Sequence, residues 1–189
     1  MMQDKVVVAI TGASGMLYAR ELRAILAAAD VEVHAIISEA GEQVLGLELG
    51  MVPADFPQVR WWGIKQFTAP MASGSARFQA MAVVPCTMGT LAAIASGLST
   101  NLIHRAADVM LKERRRLVLA VRETPFNRTH LQNMLAVHDA GATICPAMPS
   151  FYQNPHSLLE MARTYASRVA ETLGLEVDYP RWQGIEDAK

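Results

Sequence analysis

A glycine-rich loop, Thr11-Gly12-Ala13-Ser14-Gly15, follows the first apolar run of the chain and is the first segment whose residue types suit a chemical role. Glycine permits a tight turn and lets a ligand approach the backbone closely. The free N–H groups at the start of a following helix attract anions. The loop therefore predicts a phosphate site, although an ordinary tight turn between a strand and a helix is the alternative interpretation.

The same loop, with Glu39 near the end of the next apolar run, also resembles the dinucleotide site of short-chain dehydrogenases. Two features argue against that class. The third glycine of its fingerprint falls on Tyr18, and none of the 4 tyrosines is followed four residues later by a lysine. A mononucleotide such as FMN, with one phosphate to hold, fits the loop better.

Three cations from distant segments, Lys112, Arg122 and Arg168, form a possible clamp for a second phosphate. Arg105 and Asp108 share a helix face, where a functional pair and a plain salt bridge remain equally open. The acidic residues form no DDxxD pair and the 5 histidines form no ligand pattern, so we expect no metal.

Composition narrows the class of protein further. The chain has 189 residues, 51% hydrophobic and 19% charged, with a formal net charge of -1. This balance excludes a disordered chain and argues against a nucleic-acid binder that relies on positive charge. The 2 cysteines, Cys86 and Cys145, suit a reducing compartment, and Cys86 is more typical of a small buried residue than of a nucleophile. With no signal peptide or membrane span in the sequence, we expect a cytoplasmic protein.

Short apolar runs alternate with longer amphipathic segments, which predicts the elements that must position these residues. The predicted strands are 5–10, 31–37, 80–84, 117–121 and 142–145, with a weaker one near 59–62. The predicted helices are 15–29, 39–49, 88–96, 101–115, 127–140 and 155–173. The alternation indicates a three-layer α/β fold, flavodoxin-like or Rossmann-like, with a doubly wound and mostly parallel sheet. Ligands of such sheets bind outside the carboxyl ends of the strands, where the loops named above converge.

We expect one domain over residues 1–189, with the tail 175–189 packing at a subunit interface. Thr124 before Pro125 and Asn154 before Pro155 predict two helix N-caps, each followed by proline at the first helical position. Three glycines lie where helices should end: Gly97, Gly141 and Gly174.

Several longer motifs resemble one family. They are TGASG at 11–15, ASGS at 72–75, VPCTMGTLAAIASG at 84–97, NLIHRAADVMLKERRRLVLAVRETP at 101–125, HLQNML at 130–135 and PSFY at 149–152. On these motifs the chain is similar to the flavin prenyltransferases, the UbiX family, over nearly its whole length.

The resemblance implies a homo-oligomer, usually a dodecamer, with active sites at subunit junctions. Reduced FMN is then the prenyl acceptor and dimethylallyl monophosphate the donor, with no metal. The product is prenylated FMN, which is supplied to a UbiD-type decarboxylase.

The resemblance also implies roles for particular residues. FMN contacts fall on Gly12, Ala13, Ser14, Ser38, Thr87, Met88, Gly89, Thr90 and Arg122. The donor phosphate falls on Lys112, Arg122 and Glu123, with Tyr152 and Arg168 from a neighbouring subunit. Glu48 corresponds to a residue that handles protons near the flavin, and Trp182 to an aromatic residue near the site.

The chain departs from the family pattern at three positions, which bear on the choice of donor and not on the reaction type: Thr87 stands for serine, Glu39 for lysine and Phe67 for tryptophan. Two other functions remain open. One is a non-catalytic FMN-binding subunit of a decarboxylase complex. The other is an FMN-dependent cysteine decarboxylase, which the missing asparagine in the segment 70–75 disfavours.

Overall fold

A computed structural model describes residues 4–182 and residue 184. The strands are β1 (Lys5–Ile10), β2 (Glu32–Ile37), β3 (Val59–Trp62), β4 (Ala80–Cys86), β5 (Arg116–Val121) and β6 (Thr143–Ile144). The helices are α1 (Met16–Ala28), α2 (Glu39–Leu49), α3 (Met88–Ala95), α4 (Leu102–Lys112), α5 (Arg128–Asp139) and α6 (Leu158–Thr172). The predicted alternation of strands and helices is confirmed, including the weaker strand near 59–62.

The described strands form one sheet in the order β3-β2-β1-β4-β5-β6, and all of its pairings are parallel. The chain moves outward in one direction from β1 and then in the other from β4, so β1 and β4 meet where the strand order reverses. The predicted doubly wound α/β fold is confirmed. In an open α/β sheet such a reversal leaves a crevice outside the carboxyl ends of the two strands, here β1 and β4, and ligands bind there.

The strands are buried on both sides because their alternate residues fill two different cores. Val6, Val8 and Ile10 point toward the core beneath α1 and α6, whereas Val7 and Ala9 point toward the core beneath α3 and α4. This arrangement explains the near-continuous apolar runs of β1, β2 and β4, since both faces of these central strands are covered.

The helix ends correct one expectation and confirm another. Thr124 and Asn154 are not the N-caps. Asn127 and Ser157 are, with side-chain oxygens that accept hydrogen bonds from the N–H groups of His130 (2.9 Å) and Glu160 (3.1 Å). Both true caps have extended backbone, so the helix begins only after them. The three glycines expected at helix ends all have positive φ.

Candidate active site

The loops after β1 and β4 are joined by the hydroxyl group of Thr11. Its Oγ1 donates to the carbonyl oxygen of Pro85 (2.8 Å) and accepts from the N–H of Thr87 (2.9 Å). Thr11 is buried, so both bonds form away from solvent. Thr11 therefore sets the spacing of the two loops at the crevice, a role that the sequence did not indicate.

The first turn of α3 presents backbone donors at this crevice. Thr87 caps the helix, with its Oγ1 accepting from the N–H of Thr90 (3.2 Å) and donating to the Thr90 hydroxyl (3.0 Å). The N–H groups of Met88 and Gly89 have no acceptor within the helix, because they belong to its first turn. A Cβ added at Gly89 would meet nothing within 4 Å, so the backbone is open to a ligand there. This turn fits a phosphate group.

The start of α1 already holds an anion from the protein itself. The N–H of Gly15 lies 3.1 and 3.0 Å from the two carboxylate oxygens of Glu48, and the N–H of Met16 donates to Oε2 at 2.8 Å. The glycine-rich loop thus anchors the Glu48 carboxylate, whereas we expected it to bind a ligand phosphate. Of the two helix starts, α3 is the one whose first turn is open.

The contacts of Glu48 keep it ionised. Partial burial raises the pKa of the Glu48 carboxyl, but hydrogen bonds from Ser14, Met16 and Gly15 and the positive charge of Arg122 outweigh it, so the pKa lies below its ordinary value. Arg122 follows β5, and its N–H donates to the carbonyl oxygen of Cys86 (3.1 Å). A carboxylate and a guanidinium therefore face the crevice together.

The start of α2 closes one side of the crevice. Ser38 caps this helix by accepting from the N–H of Gly41 (3.0 Å). A Cβ on Gly12 would lie 2.5 Å from the Cβ of Ala40, so only glycine at position 12 lets the loop and the helix approach this closely. The loop with Gly12, Ala13 and Ser14 therefore lies against the start of α2, and together with Ser38 it forms one wall of the crevice.

Three predicted residues from the end of the chain meet at the same edge of the sheet. Tyr152 and Arg168 line a cavity of about 220 Å³. Trp182 packs against Tyr152 edge to face, with the ring centroids 5.4 Å apart. Residues 183 and 185–189 of the predicted tail lie outside the described residues.

Two aromatic residues that the prediction did not include connect this cavity to Glu48. Tyr165 lines the cavity, and its ring lies 4.7 Å from that of Tyr18. Burial raises the pKa of Tyr18, as does the charge of Glu48, while the charge of Arg122 lowers it, so all three groups share one electrostatic environment. In the sequence, Tyr18 is informative only as a departure from the dehydrogenase pattern, since it replaces the third glycine and has no lysine four residues later.

Lys112 lies at the opposite edge of the sheet. It ends α4, just before the amino end of β5, whereas Arg122 follows the carboxyl end of that strand. At about 3.3 Å per residue, β5 separates Arg116 from Arg122 by roughly 20 Å. One chain therefore does not bring Lys112 and Arg122 together. At its own end of β5, Lys112 pairs with Glu113. At the other end, beside Arg122, the Glu123 carboxylate accepts a hydrogen bond from the N–H of Thr124 (2.9 Å).

Other candidates from the sequence have structural roles. Arg105 pairs with Asp108 (2.6 Å), and its Nε donates to the carbonyl oxygen of Ala72 (3.0 Å), so this pair supports the ASGS segment. Burial raises the pKa of the Cys86 thiol to about 12, which leaves it protonated and a poor nucleophile at neutral pH. Over residues 4–182 and 184, no three His, Cys, Asp or Glu side chains are grouped to hold a metal.

Comparison with known proteins decides the family. A family model described as Flavoprotein matches residues 1–170. A flavin prenyltransferase UbiX of Methanothermobacter thermautotrophicus is 43% identical over 182 residues, which are 95% of each chain. One from Deinococcus radiodurans is 44% identical over 96% of this chain and 95% of its own. The chain belongs to the flavin prenyltransferase family.

Solved structures of family members agree with this assignment. AnUbiX, crystallised with FMN and dimethylallyl pyrophosphate, has a TM-score of 0.95 and 41% identity over 98% of this chain and 100% of its own. A dodecameric FMN-dependent UbiX-like decarboxylase of Escherichia coli O157:H7 has a TM-score of 0.91 and 38% identity over 96% of this chain and 100% of its own. A PPC decarboxylase, 16% identical with a TM-score of 0.62, shares the fold alone.

No helix in the described part of this flavin prenyltransferase family member is long and apolar enough to cross a membrane.

Proposed function

We propose that this protein transfers a dimethylallyl group from dimethylallyl monophosphate to N5 and C6 of reduced FMN. The product is prenylated FMN. The observation that carries the proposal is the Glu48 carboxylate, anchored on the start of α1 and facing Arg122 beside the open first turn of α3. This arrangement supplies a base, a cation and an anion site at one crevice. The names of the relatives support the same reaction.

The FMN phosphate is held by the start of α3. The N–H groups of Met88 and Gly89 and the hydroxyl of Thr90 would be the donors there, and the Thr87 hydroxyl, which donates to Thr90, would orient it. The flavin then lies along the wall that contains Gly12, Ala13, Ser14 and Ser38. Reduced FMN supplies two nucleophilic ring atoms, N5 and C6, to the reaction.

The donor phosphate lies between Arg122 and the cavity that Tyr152 and Arg168 line. Phosphate leaves more readily when cations stabilise the charge that develops on it, and two guanidinium groups do so without a metal. Glu123 follows Arg122 in the chain, and its carboxylate accepts from the N–H of Thr124 (2.9 Å) at the same end of β5. Bringing the donor against the flavin makes the reaction effectively unimolecular.

Side chains around the prenyl group keep water away and move the proton. Tyr165 packs against Tyr18 and Tyr152 packs against Trp182, and Tyr152 and Tyr165 line one cavity. These rings would form an aromatic wall whose faces stabilise a cation. Ring closure would add a proton to the prenyl double bond and remove one from flavin C6. The ionised Glu48 would accept the C6 proton, and the phosphate released from the donor, which takes up the N5 proton, would supply the other.

Lys112 reaches a donor phosphate only in a neighbouring copy, because β5 separates it from Arg122 within one chain. Each active site is therefore shared between subunits of a homo-oligomer, and the dodecameric relative supports that arrangement. We expected a neighbouring subunit to supply Tyr152 and Arg168, but both line a cavity that Tyr165 connects to Tyr18 of the same chain. In this proposal they therefore serve the site of their own chain, and Lys112 is the residue that crosses the junction. The C-terminal segment packs at that junction, and the product passes to a UbiD-type decarboxylase in the cytoplasm.

An anaerobic assay tests the proposal. The purified protein is mixed with reduced FMN and dimethylallyl monophosphate, and the mass of the released flavin is measured. A gain of one isoprenoid unit supports prenyl transfer. Unmodified flavin, with the diphosphate and longer donors also failing, would favour the non-catalytic FMN-binding subunit.

Co-expression tests the shared site. Differently tagged Lys112→Ala and Arg122→Ala chains are purified together by both tags. If the two residues meet across subunits, mixed oligomers regain activity that neither single variant has. Activity no higher than the mean of the two variants would contradict sharing.

A further inference from the structure

The carboxylate of Glu171 is a meeting point for groups from two segments. On α6 it pairs with Arg168, three residues earlier, and it also pairs with Arg181 from the segment after the helix. The hydroxyl of Tyr179 donates to Oε2 at 2.8 Å. One carboxylate thus holds two guanidinium groups and a phenol.

These bonds determine how Arg168 is presented. Glu171 engages Nη1 of Arg168, and the hydroxyl of Tyr179 also interacts with this guanidinium group. A guanidinium is a planar group with five N–H donors, so one edge can stay bound while another binds a phosphate in bidentate fashion. The side chain of Arg168 is 64% exposed, and without Glu171 it would sample many rotamers.

The second cation keeps Glu171 in place. Arg181 binds the other carboxylate oxygen, its Nη2 donates to the carbonyl oxygen of Val177 (3.4 Å), and its guanidinium lies 5.2 Å from the centre of the Tyr179 ring. The hydrogen bond from Tyr179 and the pairing with Arg168 lower the pKa of Glu171, so it stays charged in the working pH range. The carboxylate therefore remains paired even when a phosphate draws on Arg168.

We propose that Glu171 is a positioning residue for Arg168. Glu171 orients the Arg168 guanidinium toward the donor phosphate and also joins Arg168 to the segment that carries Tyr179 and Arg181. This inference rests on the proposed function, in which Arg168 binds that phosphate. Glu171 itself touches neither substrate nor flavin.

The expected effect is on donor binding. Ordering one long side chain on binding weakens association by a factor of about three to ten, so Glu171→Ala should raise the KM for dimethylallyl monophosphate by that factor. The kcat should stay within about twofold, because Arg168 still binds once the donor is in place. Glu171→Gln should lie between, since an amide oxygen still accepts from Arg168 but the amide nitrogen cannot accept from Arg181.

A double-mutant cycle separates positioning from a general structural role. In an Arg168→Ala background, Glu171→Ala should change the KM no further, because the residue through which it acts is gone. An equal rise in both backgrounds would overturn the proposal, as it would mean that Glu171 only supports the fold. A fall in KM on Glu171→Ala would also overturn it, since Glu171 would then compete with the phosphate for Arg168.

Glu176→Ala is the matched control, because Glu176 is an exposed acid in the segment after α6. A rise in KM equal to that of Glu171→Ala would mean that loss of negative charge alone is responsible, and would overturn the proposal. Calorimetric titration with inorganic phosphate gives a second readout that does not depend on prenyl transfer. Absence of prenylated flavin with the wild-type protein refutes the proposed function, whereas equal phosphate Kd values for wild type and Glu171→Ala refute the positioning role.

Discussion

Glu48→Gln tests the central residue of the site, because its two possible roles differ greatly in magnitude. As a carboxylate at an exposed helix start, Glu48 contributes only about 0.3–1 kcal/mol of stability. A change of that size lowers the Tm of a chain this long by roughly 2–4 °C or less. As the base for ring closure, Glu48 contributes a rate factor of about 10²–10⁴.

The substitution preserves the size of the side chain while removing its charge. The glutamine oxygen still accepts from the N–H of Met16 or Gly15, but its amide nitrogen cannot replace the second carboxylate oxygen. We therefore expect a folded variant that attaches the prenyl group to N5 and then closes the ring to C6 at least 100-fold more slowly, the lower limit for loss of a general base.

The assay must distinguish isomers. Ring closure adds one proton to the prenyl group and removes one from flavin C6, so the singly and doubly attached flavins have the same mass. Anaerobic single-turnover reactions are therefore followed by absorbance, and the quenched flavin is examined by proton NMR for loss of the C6 proton signal.

Glu42→Gln is the matched control, because Glu42 lies on the same helix and is exposed. It should close the ring at the wild-type rate. Ring closure by Glu48→Gln at that same rate would refute the assignment and leave Glu48 as no more than an anchor for α1.

The remaining predictions concern other parts of the structure. Lys112→Ala should spare FMN affinity but lower kcat/KM for the donor roughly 10- to 100-fold, the loss expected for one charged hydrogen bond. An equal loss of FMN affinity would contradict the role of Lys112 in binding the donor phosphate. Ser14→Ala removes a hydrogen bond that lowers the pKa of Glu48, so the acid limb of the kcat/KM profile should move to higher pH, and an unchanged limb would exclude Glu48 as its source. Arg114 has a φ of 54°, a left-handed conformation just after α4. Because glycine adopts this conformation without strain, Arg114→Gly should raise the free energy of unfolding by about 1 kcal/mol in a denaturant titration. A lower free energy of unfolding would show that the Arg114 side chain stabilises the fold.

The alternation of apolar runs and amphipathic segments was enough to predict the elements and the sheet. Strands buried on both sides need apolar residues at every position, and this pattern is visible in the sequence without any contact information. The glycines at 97, 141 and 174 marked helix ends for an equally local reason, since only glycine adopts positive φ without strain.

The helix starts were harder to predict. Thr124 and Asn154 have side chains suitable for N-caps, and so do Asn127 and Ser157. The true cap is the residue whose side-chain oxygen can reach the N–H group three residues later. That geometry is set by how α5 and α6 pack on the sheet.

The loops that form the site were predictable because parallel strands bring their carboxyl ends to one edge. The division of tasks among those loops was decided by the tertiary structure. Nothing in the sequence spacing of Gly15 and Glu48 shows that a carboxylate from α2 occupies the start of α1, because that contact depends on how the two helices pack.

The same limit applies to the three cations. Their residue types indicated phosphate binding, but charge type carries no information about position. Arg122 and Arg168 lie at the carboxyl edge of the sheet, whereas Lys112 lies beyond the other end of β5, and only the direction of that strand decides this. The sequence by itself determined the fold class and the chemical groups available, because these follow from local pattern and residue type. Which groups meet depends on contacts between distant segments, and those are set by the packing of the whole chain.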